Sequence, residues 1–466
     1  MDADLLELWR SLGPVLPDAA ALSAPFWDGP RWWWAGALDV EGLAVGSVGA
    51  LIAALDALDA ARTRARKAAH AGAATSSDLI AGSFDSIRHL RVDGVGPDVW
   101  APMSGFRPTK DGWVRLHANY PHHAERLQQA LGITSPDQLS GALLERSALE
   151  VERSVQEHGG VAAAVRAPDV WAASPMGQAA ASAPWIDFTL AELARSPRTL
   201  PVRTAGSLPL SGVRILDLTR VIAGPSATRL LGALGADVLR IDPPQLPELL
   251  DQHIDTGFGK RSALADLRNH GQRARVRELA STADIVFLGY RQAALARHGL
   301  DIEALREDFP HLAVLALNAW GWQGPWADGR GFDSIVQAAC GIAHRYRQAD
   351  DDGAWRPGAL PVQALDHATG MGMAAAAVAL LGARSQGLAG SARFSLIATA
   401  NQLLRAAPPD HGVQPVELPI PHRQAASPFG LLDFVPPLLR LDDRQLEYPH
   451  PPELYGSSQL EWMGEH

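Results

Sequence analysis

Asp366 has the setting richest in chemistry. It follows the apolar run Ala359–Leu365, which reads as a strand, and precedes Thr369-Gly370-Met371-Gly372, which opens an Ala-rich helix over Met373–Leu381. Two roles fit it. An aspartate at a helix start is commonly an N-terminal cap, accepting an orphan backbone N–H, and spacing alone favours this reading. An ionised carboxylate there, with glycines leaving room for an acyl group, is also a nucleophile able to attack a thioester carbonyl. Amides of the same turn would then hold the oxyanion. Asp333, in Gly331-Phe332-Asp333-Ser334, reads as a helix cap, and His367 as a satisfied polar residue. Lys260 and Arg261 follow Gly257-Phe258-Gly259 and suit either phosphates or solvent, as do Arg291 and Arg297. Asp242 ends a strand where an acid would bind a nicotinamide dinucleotide's ribose. The first turn, Ile222–Ala227, lacks the three-glycine spacing which that ligand requires. No Gly-x-Ser-x-Gly elbow, HExxH motif or Walker loop is present.

The elements that must position these residues change texture along the chain. Residues 1–75 read as helical, with Ile52, Leu55 and Leu58 at helical spacing. This segment runs into the basic cluster Arg62, Arg64, Arg66 and Lys67, a solvated helix end. Residues 76–205 hold the alternating strand Trp113–His117, helices near His123–Leu131 and Leu143–His158, and a Pro-rich linker at Ser196–Pro209. From 206 to 404 the rhythm is strand, helix, strand. Val213–Leu218, Asp237–Ile241, Ile285–Leu288 and Leu312–Leu317 alternate with helices over Ser226–Leu234, Gln272–Ala280 and Asp301–Glu307. That pattern predicts an α/β fold with a parallel sheet, whose ligands bind at the carboxyl ends of the strands. Residues 405–466 form a Pro-rich tail.

Composition removes several classes. The 466 residues are 47% hydrophobic and 20% charged, enough to bury a large core. A net charge of −10 argues against a nucleic-acid binder. A lone cysteine, Cys340, rules out an internal disulfide framework and a cysteine zinc cluster. The longest apolar stretches, Gly42–Leu55 and Gly370–Ala383, are shorter than the roughly 20 residues a bilayer needs. The acidic start MDADLLELW is unlike a secretion signal, so a cytoplasmic protein without membrane partners is expected.

Five consecutive blocks, Leu210–Pro244, Phe258–Arg268, Ala283–Leu300, Trp320–Gly341 and Leu360–Leu381, resemble the class III CoA-transferases, the carnitine-dehydratase and bile-acid-inducible type that includes formyl-CoA transferase. The resemblance covers roughly 210–404. It implies a Rossmann-like large domain at 206–404 with a smaller α+β domain, and an interlocked homodimer. Residues 76–205 resemble the family's small domain, which ordinarily follows the catalytic half, so the chain looks permuted. By position Asp366 matches the catalytic aspartate, which takes the acyl group as a mixed anhydride and then CoA as a thioester. Arg220, Val221 and Ala223 match the first CoA-gripping loop, and Lys260 and Arg261 a basic pair near the phosphates. Tyr290 and Arg297 match the pantetheine and phosphate region, and Arg330 lies near a basic position. Coenzyme A as acyl-CoA is the implied ligand, with no metal. The implied activity is transfer of CoA to a carboxylic acid. Alternatives are a racemase, isomerase or lyase of the same family, or a non-catalytic scaffold. Phe332 stands where racemases carry a histidine base, and a hydrocarbon ring accepts no proton, which disfavours racemisation.

Overall fold

The computed structural model describes residues 4–16, 26–34, 36–63, 72–193, 207–349, 355–409 and 414–464. Arg64, Arg66 and Lys67 of the basic cluster, and most of the Ser196–Pro209 linker, lie outside these residues. Six parallel strands stand in the order Arg261–Leu264, Asp237–Asp242, Arg214–Leu218, Ile285–Leu288, Ala313–Asn318 and Leu388–Ser395. Counted along the chain this is the Rossmann-type order, reversing direction between the first and fourth strands. The strands are continuous apolar runs, as in Ile285–Leu288, because both faces of the sheet are covered. Asp187–Glu192, from the stretch before the linker, closes the far edge antiparallel to Leu388–Ser395.

One expectation about the helix carrying Asp366 is corrected. Ala359–Leu365 is not a strand, and the helix spans Ala364–Ala383, starting nine residues before the Ala-rich run suggested. All of its residues are buried. A helix surrounded by protein has no polar face, so its apolar run carries no helical period and its entry mimics a strand. It packs against Val40–Thr63 on one side and Ala223–Ala233 on another, so the N-terminal segment shares the large domain's core. By length and composition Val40–Arg62 and Ala364–Gln386 are long and apolar enough to cross a membrane. In the fold 78% and 100% of their apolar windows are buried.

A second antiparallel sheet joins Gly105–Pro108, Trp113–Leu116 and Ala162–Ala164. Val114 and Leu116 point into a separate core with Leu127, Val151 and Val155 of the covering helices. The helix expected over Leu143–His158 is two helices, Leu139–Leu144 and Ala148–Glu157. A capping box between Ser147 and Glu150 starts the second. The Pro-rich tail is ordered. Gly430–Phe434 pairs with Arg91–Val92, Arg440–Leu441 pairs with Ala73–Ser76, and the buried Trp462 donates its indole N–H to Thr282.

Candidate active site

Asp366 sits in the first turn of the buried helix, yet it does not cap it. The backbone N–H of Asp366 donates to Asp333 Oδ2 at 3.0 Å, and that of Leu365 also reaches Asp333. Asp333 comes from the helix Asp333–Ala339 and caps its neighbour's helix rather than its own. Among the described residues no group donates to the Asp366 carboxylate, which is left facing open space. Burial raises the Asp366 carboxyl far above the ordinary range, and the nearby Asp333 charge adds to this. Burial also raises Asp333, to about 6, although its hydrogen bonds from Gln337 and the two amides hold it down. Of the two, Asp333 carries the donors that favour ionisation, so Asp366 is the one that holds its proton to higher pH.

Two cavities meet at this carboxylate. The first, of about 570 Å³, opens at the carboxyl ends of the strands beside the point where strand order reverses. Arg220, Val221, Ala223, Tyr290, Arg297 and Arg330 all line it together with Asp366. So do Arg126 and Arg291. Burial first, and then repulsion from Arg291 and Arg126, lowers the Arg330 guanidinium to about 10. Among the described residues none of Arg126, Arg291, Arg297 and Arg330 has a carboxylate partner, so the wall carries unneutralised cations suited to phosphates. Arg220 is differently placed. It is held by Glu248 at 3.5 Å and lies 4.4 Å above the Tyr120 ring.

The loop carrying Arg220 is strained and clamped. Val221 adopts a φ of 68°, a left-handed conformation that costs a β-branched residue on the order of 1–3 kcal/mol. Its N–H donates to Glu248 Oε2 at 2.8 Å, and the Tyr120 hydroxyl donates to Glu248 Oε1 at 2.5 Å. Burial works to raise the Glu248 carboxyl. Arg240 and Arg220, with the Tyr120 and Val221 hydrogen bonds, nonetheless hold it at about 2.

Residues 210–431 match the family model described as CoA-transferase family III. Over these residues, just under half of the chain, the sequence is similar to that family. It is 36% identical over 152 residues to the succinate–glutarate CoA-transferase of Agrobacterium fabrum, covering 29% of this chain and 38% of that protein. It is 33% identical over 175 residues to the succinyl-CoA:glutarate CoA-transferase of Mus musculus, covering 35% and 39%. Among solved structures, a hypothetical protein (Rv3272) from Mycobacterium tuberculosis is similar at 31% identity, with a TM-score of 0.38 over 42% of this chain and 58% of that one. The matched part thus spans less than two fifths of those two curated relatives.

Three readings of the site need correction. Lys260 and Arg261 do not line the first cavity. The Lys260 ammonium is buried on Asp217 at 3.2 Å and Thr228 at 3.0 Å, and burial lowers it to about 8. Arg261 pairs with Asp237 at 2.8 Å at the opposite end of the sheet. Each basic side chain belongs to a nearby carboxylate, whose burial requires it. The first-turn amides offer no oxyanion hole, because those of Leu365 and Asp366 go to Asp333, Ala364 bonds Val362 and His367 bonds Gln363. The glycines make no room for an acyl group either. Gly370 presses on Ala223 and Ser226, and Gly372 on Trp185 and Phe394.

Asp242 ion-pairs with Arg240 at 2.7 Å and is buried, so it presents no carboxylate to a ribose. His367 stacks on Phe84 and lines the second cavity, and burial lowers its imidazole to about 3. Sequence reasoning missed Glu248 and Tyr120, which bond each other across 128 residues of chain. The one available signal was Arg240 and Asp242 inside an otherwise apolar buried strand.

Proposed function

We propose that this chain transfers CoA from an acyl-CoA to a carboxylic acid, with Asp366 as the covalent residue. The observation that carries the reading is the Asp366 carboxylate, which accepts no hydrogen bond among the described residues, at the meeting of two cavities, one of them walled by arginines that have no carboxylate partner among those residues. The match of residues 210–431 to the CoA-transferase family III model supports the same assignment. Arg126, Arg291, Arg297 and Arg330 would hold the CoA phosphates, with Tyr290, Val221 and Ala223 along the thiol-bearing arm. Arg220 acts as a positioning residue, because Glu248 already neutralises it.

In the proposed sequence an Asp366 oxygen attacks the thioester carbonyl, and the C–S bond breaks to release CoA thiolate. The thiolate attacks the Asp366 carbonyl carbon of the mixed anhydride, and the acyl group departs as its free carboxylate. The acceptor carboxylate then attacks the aspartyl thioester and expels the thiolate. The thiolate takes the acceptor's acyl carbon, restoring the Asp366 carboxylate. One carboxylate enters for each that leaves, so no net proton is consumed. The raised Asp366 carboxyl requires deprotonation first, which makes the reaction faster as pH rises. The interlocked homodimer implied by the resemblance belongs to the same proposal.

Asp366→Ala should abolish exchange between acyl-CoA donors and acid acceptors while acyl-CoA binding persists. Mass spectrometry of the intact protein after incubation with acyl-CoA should find a CoA adduct on Asp366. Full turnover by Asp366→Ala refutes the proposal. Deuterium entering the α-carbon without acid exchange transfers the assignment to a racemase.

A further inference from the structure

The second cavity, of about 740 Å³, shares Tyr120, Val221, Phe332 and Asp366 with the first and extends away from the arginine wall. Its lining mixes apolar groups, among them Phe84, Ile87, Phe106, Leu360 and Val362, with the carboxylates of Asp85, Asp98, Asp251 and Asp255. Two arginines also line it, and Arg88 is paired with Asp85 at 3.6 Å, whereas Arg115 is not. Arg115 lies on the middle strand of the small sheet, opposite Phe106 on one side and Ala163 on the other. Val114 and Leu116 fill the small domain's core, so strand alternation turns Arg115 outward into this cavity.

Arg115 is 8% exposed, and its Nε has no hydrogen-bond partner. Among the described residues no carboxylate pairs with it. Asp333 and Arg107 are the charged groups within electrostatic reach, and Asp333 is already committed to the helix amides and Gln337. The guanidinium lies 4.5 Å from the Trp100 ring centre and 4.8 Å from that of Phe106, so two aromatic faces orient it. A buried guanidinium without a counter-ion is costly to fold around. One aimed into a chamber that ends on a reactive carboxylate is poised for an anion supplied from outside. A planar fork of donors matches a carboxylate in particular.

We infer that Arg115 is the carboxylate-binding residue of the acid-substrate chamber, reached from the side of Asp366 opposite the CoA cavity. The inference rests on the proposed function for its chemistry, but not for its test. The carboxylate is either the one that attacks the aspartyl thioester or a second one at the far end of a dicarboxylic acid.

The test reads binding of pentanoate, pentanedioate and the neutral pentanamide to the full chain by ligand-observed NMR, without turnover. Wild type should bind the acids more tightly than the amide. Arg115→Met should weaken acid binding by about 10-fold or more, the usual scale of a charge-assisted pair, and Arg115→Lys should restore part of it. Weakening of both acids assigns Arg115 to the attacking carboxylate, and weakening of pentanedioate alone assigns it to the distal one. Equal binding of acids and amide to wild type, which needs no variant to fold, overturns the inference. So does unchanged acid binding in a folded Arg115→Met. Asp366→Ala should keep acid binding, so a failed transferase assay and a failed carboxylate site are told apart.

Discussion

Gly370→Ala tests whether close packing of the central helix places Asp366. Gly370 lies one turn beyond Asp366 on the same helix face. A Cβ there would stand 2.6 Å from Ser226 Oγ and closer still to the Ala223 carbonyl oxygen, against an ordinary contact distance that begins at 3.4 Å. Backbone cannot rotate away as a side chain can, so relieving the contact with the Ala223 carbonyl makes the two helices part by roughly 1 Å, the scale of misplacement that costs about 100-fold in rate. The expected result is a fall in kcat of that order. Overpacking should also lower stability by about 1–3 kcal/mol, read as a drop in Tm. Gly372→Ala is the control. Its Cβ would meet the rings of Trp185 and Phe394, at 2.8 Å and 3.3 Å, on a different face. It should cost similar stability and leave kcat nearly intact. Steady-state exchange kinetics and thermal melts on both variants decide the matter. Wild-type kcat in Gly370→Ala, or equal losses of kcat in both variants, refutes the reasoning.

Asp366→Asn should stabilise the protein increasingly as pH rises. The folded carboxyl sits above its free value of 3.8, so the folded state binds the proton more tightly, and stability from this group is lost as pH climbs through that window. An amide does not titrate, so the difference in Tm should be near zero close to pH 4 and grow toward neutrality. Lys260→Met should cost about 3–5 kcal/mol by stranding the buried Asp217, with the KM for acyl-CoA unchanged. A raised KM with unchanged stability would return Lys260 to the phosphates.

Much of this protein was legible before any coordinates. The alternation of apolar runs and helices over 206–404 determined a parallel sheet, because each strand there is covered on both faces and reads as an uninterrupted apolar segment. The blocks around Asp366 singled out that residue. The tertiary structure alone decided what surrounds it. Whether Asp366 caps its helix depended on Asp333, thirty-three residues away, taking the amides instead. Whether Lys260 meets phosphate depended on the buried charge of Asp217. Arg115 lies far from Asp366 along the chain, and no local pattern connects them. Only the packing of the small sheet against the large domain brings both to one cavity. Local sequence sets backbone preference and apolar period, but a charge is claimed by whichever opposite charge the fold brings nearest, and that distance is not written in the spacing.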